Sequence, residues 1–140
     1  MAEMSNAQRD EFLAGKRYAI LTTLRADGSP VAVPVWYGWD GRSLKMFTHV
    51  STPKMKRIRR DPRATVLVAN TFGELEAWVA FDGAIVIHED GGLELALNLA
   101  DKYWDVDNPE RASTLDEWRQ LGPGWRLLEL TPAAIRTHVG

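Results

Sequence analysis

The stretch LKMFTHVSTPKMKRIRRDPRATVLV, residues 44–68, decides how this chain is read. Residues 43–48 follow the tight-turn pair Asp40-Gly41 and read as a strand. Ser51, Thr52 and Pro53 then signal a helix start, because hydroxyls can cap orphan amide hydrogens and proline is preorganised for the first helical position. The helix is short. Asp61-Pro62 ends it near Arg60, since the residue before a proline disfavours helical geometry. Met55 and Ile58 form its inward side and leave Lys56, Arg59 and Arg60 toward solvent. Residues 64–69, ATVLVA, return to a buried-looking strand.

On the N-terminal side, residues 6–15 read as a helix stopped by Gly15, and residues 17–25, RYAILTTLR, as a strand. Turn chemistry at residues 26–30, with Gly28 free to take positive φ, leads into a second strand over residues 31–37. Val31, Val33 and Val35 share one face of it, and Pro34, which lacks an amide hydrogen, belongs at an edge. Together with residues 43–48 these predict a three-strand meander. On the C-terminal side, residues 76–88 form a long strand with a bulge at Gly83. Mixed three- and four-residue apolar spacing predicts a helix over residues 93–104, and a more polar one spans residues 113–121 before Gly122-Pro123-Gly124. Residues 125–130 and 135–139 are the last strands. The expectation is a mainly β fold with short helices, one domain over residues 1–140 with a helical insert at about 92–121.

Composition agrees with one folded unit: 140 residues, 45% apolar and 26% charged, far from the signature of disorder. No apolar run approaches the roughly 20 residues that cross a bilayer, and MAEMSNAQRDEF lacks the apolar core of a signal peptide, so a cytoplasmic protein without membrane contact is expected. The absence of cysteine removes disulfides, thiolate metal sites and cysteine nucleophiles. His49, His88 and His138 are scattered, and the neighbours His88, Glu89 and Asp90 project to opposite faces of a strand, so no metal site is expected.

The net charge of −2 hides an asymmetry. Lys54, Lys56, Arg57, Arg59, Arg60 and Arg63 crowd one segment against Asp61 alone, whereas residues 89–117 are strongly acidic. A concentrated basic segment attracts anions. Where strand 43–48 gives way to the helix, Thr48, Ser51 and Thr52 offer hydroxyls, Lys54 a charge, and the helix start its free amides, which together outline a phosphate pocket. The residues alone leave a second reading open, a capped surface helix with solvated charges. His49 beside this corner is a candidate proton donor or an ordinary structural histidine.

Three stretches, YAILTTLRADGSPVAVPVWYGWDG, LKMFTHVSTPKMKRIRRDPRATVLV and AWVAFDGAIVI, resemble the pyridoxamine 5′-phosphate oxidase-related split β-barrel flavoproteins, and more closely their actinobacterial deazaflavin-using branch. RLLELTPAAIRTHV matches more weakly. The resemblance implies an FMN-binding split barrel, a homodimer, and two cofactors in grooves between subunits. It implies that Thr48, Ser51 and Lys54 contact the cofactor phosphate, with Thr52 opening the helix, that Arg57 reaches an acidic extension, and that Pro34, Val35 and Trp36 lie along the ring. In the flavin mononucleotide branch an arginine precedes the matched lysine. Pro53 stands there instead, which turns the expectation toward F-420, whose phosphate continues into a polyglutamate tail, with FMN as the alternative.

The implied activity is an oxidoreductase that transfers hydride to or from a small-molecule substrate, with the cofactor doing the bond chemistry. Trp36, Tyr37, Trp39 and Trp78 are candidates for stacking a planar ring. Two other classes fit part of the pattern: a cofactor carrier or sensor without turnover, and a nucleic-acid-binding β-barrel using residues 54–63. The confinement of the basic residues to one short helix, away from the aromatics, sets the last aside.

Overall fold

The computed structural model describes residues 2–140. In chain order it runs α1 (Asn6–Ala14), β1 (Ala19–Leu24), β2 (Pro30–Val35), β3 (Gly38–Trp39), β4 (Leu44–His49), α2 (Pro53–Arg60), β5 (Arg63–Ala69), β6 (Ala77–His88), α3 (Gly92–Tyr103), α4 (Pro109–Gln120), a 3-10 turn (Gly122–Gly124) and β7 (Trp125–Val139). All seven strands join one sheet in the order β2-β1-β5-β6-β7-β4-β3.

That order alone forces closure. The edge strands β2 and β3 are linked only by Trp36 and Tyr37. Laid flat at about 4.8 Å per strand, the two edges would stand roughly 29 Å apart. The link from Val35 to Gly38 reaches at most about 11 Å. The sheet therefore curls until its edges meet, and among the described residues no ladder joins them. The result is a split barrel whose seam is residues 36–37.

Alternation along the strands fills the interior. Ala19 and Leu21, Leu44 and Met46, Val66 and Val68, Val79 and Phe81, and Leu128 and Leu130 are buried in one core. Tyr37 plugs the seam from inside, fully buried, and its hydroxyl donates to the Leu13 carbonyl at 2.8 Å. Helix α2 packs against β1 and drives Met55 and Ile58 into the core, while Lys56, Arg59 and Arg60 stay exposed, as the helical wheel requires.

Helices α3 and α4 cover the outside of the barrel. Helix α3 lies on β4 and β7. Its first residue, Gly92, is pressed so closely against β7 that a Cβ there would stand 2.6 Å from the Arg126 carbonyl carbon.

The structure departs from the sequence reading at four places. The meander is absent: β2 pairs only with β1, whereas β4 pairs with β7 on one side and the short β3 on the other. Curling around the core, not chain proximity, decides the neighbours of β4. The second covering helix starts at Pro109 instead of residue 113, because the Asn108 side chain accepts the Glu110 amide at 2.9 Å and supplies the cap. Residues 125–139 are one strand, since a register shift opposite Asp82 and Gly83 leaves Ala133 without a partner and lets Pro132 stand opposite Gly83 without ending the ladder. Thr52 stands at the start of α2 but its side chain makes no capping bond. Pro34 lies on the edge strand β2, as expected from its missing donor.

Candidate cofactor cleft at the barrel seam

Trp36 sits in the seam link next to the buried Tyr37 and is itself half-buried. Around it opens a cleft of about 260 Å³ lined by Tyr18, Pro34, Val35, Trp36, Phe47, Lys54, Trp104 and Trp118. Each wall has a separate structural cause. The β1–β2 register pairs Ala19 with Val35 and so places Tyr18 beside Trp36. Phe47 is on the outward face of β4. Trp104 ends α3, and Trp118 comes from α4.

The walls form one aromatic assembly. Trp36 stacks on Tyr103 with ring centroids 5.0 Å apart and planes 1° from parallel, and meets Trp104 edge-on at 4.7 Å. Trp104 and Trp118 lie 5.4 Å apart, and the Arg111 guanidinium covers Trp104 at 4.3 Å. The Tyr103 hydroxyl donates to the Arg17 carbonyl at 2.6 Å, and burial pushes its pKa up to about 12, so it is a fixed neutral donor.

Among the described residues Lys54 is the only charged side chain lining the cleft. Burial, and then the neighbouring Arg57 guanidinium, hold its pKa below the ordinary lysine value of 10.5, and no carboxylate offsets them among the described residues. A half-buried ammonium without an acid partner is a site for an anion.

The loop that leads into α2 is locked by its own side chains. Thr52 donates its hydroxyl hydrogen to the His49 carbonyl at 2.9 Å, so the 2.7 Å contact between the Thr48 and Thr52 oxygens is a donation from Thr48. Thr48 is buried and faces the barrel interior. The Ser51 amide donates to His49 Nδ1 at 3.2 Å, leaving that nitrogen an acceptor for the Ser51 hydroxyl at 2.8 Å as well. All three hydroxyl hydrogens are thus committed inside the loop. Arg57 Nε donates to Thr23 Oγ1 at 3.0 Å and Arg60 Nη2 to the Leu24 carbonyl at 3.1 Å, which tie α2 to the end of β1.

Of the residues singled out from the sequence, Pro34, Val35, Trp36 and Lys54 come together in the cleft. Thr48, His49, Ser51, Thr52 and Arg57 surround the start of α2 without lining it. The other aromatic candidates go elsewhere. Tyr37 is core, Trp39 packs on Phe81 at 5.1 Å and donates to Asp10, and Trp78 stacks on His138 at 5.9 Å. Sequence reasoning missed Tyr18 and Phe47 as wall residues. Trp104 and Trp118 pack the covering helices onto the barrel, against Trp36 and Phe47, while also walling the cleft.

The pyridoxamine 5′-phosphate oxidase family pattern matches residues 5–138. The chain belongs to this family. Solved structures with the same fold include an F420 reductase, 20% identical, covering 90% of this chain and 94% of that one with a TM-score of 0.71. A conserved hypothetical protein of Mycobacterium tuberculosis is 22% identical, with coverage of 97% and 85% and a TM-score of 0.77. A FAD-binding protein of Mesorhizobium loti is 18% identical, with coverage of 97% and 93% and a TM-score of 0.65.

Proposed function

We propose that this chain is an oxidoreductase that seats a flavin-type cofactor in the seam cleft, with F-420 favoured over FMN, and passes hydride to or from a small organic molecule. The observation that carries the reading is Lys54: a half-buried cation with no carboxylate partner among the described residues, in an otherwise apolar and aromatic cleft. Such a cleft suits a planar ring that ends in an anion. The residues fit the group. Pro34, Val35 and Trp36 would lie along the ring, and Lys54, in the first turn of α2, would take the phosphate. When bound, the cofactor supplies the hydride chemistry. The chain's own part is to orient the ring, exclude water with Trp36, Trp104 and Trp118, and neutralise the anionic end.

Exposed Lys56 and Arg59 on the outer side of α2 suit the acidic tail that distinguishes F-420. Pro53 at the first helical position, where the flavin mononucleotide branch carries a second cation, favours the same choice. The cleft is small for a whole cofactor, below the usual range of about 300 to 1,000 Å³. Completion by a second copy, giving a homodimer, is part of the proposal. A nucleic-acid surface is disfavoured because Arg57, Arg60 and Arg63 are engaged with Thr23, the Leu24 carbonyl and Asp61.

The test is fluorescence titration of the apoprotein with F-420 and with FMN, followed by native mass measurement. Binding of F-420 in preference to FMN at one cofactor per chain, in a dimer, supports the proposal. Binding of neither overturns it. Reduction of bound cofactor followed by addition of planar acceptors separates an enzyme from a carrier.

A further inference from the structure

His49 is the residue of this corner that the proposed function leaves without a task. It stands on the same face of β4 as Phe47, one turn of chain before α2, yet its ring does not line the cleft. Three observations fix where the ring goes. Nδ1 accepts both the amide and the hydroxyl of Ser51. Nε2 is buried and has no partner in this structure. The ring meets Trp125 edge-on at 5.4 Å and lies so close to Gly124 that a Cβ there would overlap Nε2.

Because the Ser51 amide can only donate, Nδ1 carries a lone pair and the neutral ring keeps its proton on Nε2. That N–H is buried against Gly124 and Trp125, and His49 is not among the residues that line the cleft. A proton-donating role therefore does not suit it. The backbone runs parallel to this contact: the Val50 amide donates to the Gly124 carbonyl at 2.8 Å, and Trp125 Nε1 donates to the Trp118 carbonyl at 2.9 Å. One imidazole thus clamps the loop before α2 to the turn that follows α4, at a glycine with no side chain to interfere.

We infer that His49 is a positioning residue for the anionic end of the ligand: its ring, seated on Gly124, holds Ser51 so that the start of α2 and Lys54 present their donors together. The inference rests on the proposed cofactor reading and adds a division of labour to it. His49 acts on the anion-facing loop directly through Ser51, and meets the ring-facing walls only at one remove, through Trp125, which packs against Phe47 and Trp118. A leaving partner for Nδ1 would free the Ser51 amide and hydroxyl at once and loosen the loop on which the anion depends.

The experiment compares a phosphate-bearing ligand with its phosphate-free chromophore, FMN against riboflavin or F-420 against the deazaflavin ring alone, for wild type, His49→Ala and His49→Asn. Loss of the Ser51 contacts in His49→Ala is expected to raise Kd for the phosphate-bearing ligand about tenfold and leave the chromophore within about twofold. His49→Asn, whose amide oxygen can replace Nδ1 as acceptor, is expected to recover most of the loss. Equal losses for both ligands, no loss, or no recovery in His49→Asn would overturn the inference. Nitrogen NMR of the apoprotein supplies a ligand-free readout of the tautomer, and a neutral ring that carries its proton on Nδ1 also overturns it.

Inorganic phosphate separates this inference from the reading beneath it. If wild type binds no cofactor but phosphate shifts the amides of Ser51, Thr52 and Lys54 in a His49-dependent way, the cofactor reading fails and the positioning role stands. If neither binds, both fall.

Discussion

Replacing Lys54 by alanine is the perturbation whose outcome the geometry fixes most tightly. The ammonium is half-buried, lacks a carboxylate partner among the described residues, and is pushed toward its neutral form first by desolvation and then by Arg57. An anion about 4 Å away in an effective dielectric of about 20 would gain roughly 4 kcal/mol, an upper bound before screening. Hydrogen bonds to charged groups contribute about 1.5–3 kcal/mol net, which corresponds to a roughly ten- to hundredfold rise in Kd. Cofactor fluorescence titration at low and at physiological salt reads this directly. Burial lowers the Lys54 pKa of the free protein, and it is the charged form that binds the anion. Affinity should then fall as pH rises through a value below 10.5. The same substitution removes an uncompensated cation, so thermal stability of the apoprotein should hold or rise. Arg60→Ala, which removes a bond to the Leu24 carbonyl outside the cleft, should change affinity little. A loss under threefold for Lys54→Ala, or equal losses for the two variants, would refute the reasoning and favour a diffuse basic surface.

Other substitutions test the scaffold. Gly92→Ala places a Cβ 2.6 Å from the Arg126 backbone and should cost about 1–3 kcal/mol in denaturant unfolding; unchanged stability would mean that α3 is not pressed onto β7. Tyr37→Phe removes the buried donor to the Leu13 carbonyl and should lower stability by about 1 kcal/mol without affecting cofactor affinity, measured by unfolding and titration in parallel. Asp40 is held at about 2, first by the Ser43 amide and then by Lys45, against desolvation. Its folded pKa is depressed, so its contribution is present above the ordinary carboxylate range and lost as pH falls toward 2. Asp40→Asn should flatten that part of the stability profile in acid unfolding.

The strand, basic helix and strand of residues 44–68 were legible because each boundary carries its own chemistry: Pro53 at a helix start, Asp61-Pro62 at its end, Met55 and Ile58 facing inward. The neighbours of β4 were not. Local sequence suggests pairing with the preceding hairpin, whereas the ladder runs to β7, a partner chosen by long-range closure of the sheet. The same limit governs the site. Pro34, Val35, Trp36 and Lys54 could be named from the resemblance, but Tyr18 and Phe47 become walls only through register. Trp104 and Trp118 become walls only through the docking of α3 and α4 outside the barrel. Nor does sequence reveal that the hydroxyl hydrogens of Thr48, Ser51 and Thr52 are committed within their own loop, since that depends on where His49 turns.

The account stands on an anion meeting Lys54 at the seam beside Trp36. A crystal structure of the protein soaked with F-420 or FMN tests it most directly. The phosphate is predicted within hydrogen-bonding distance of Lys54 Nζ, with the ring along Pro34, Val35 and Trp36. A cofactor bound elsewhere, or density showing this corner filled by side chains with no space for an anion, would contradict it.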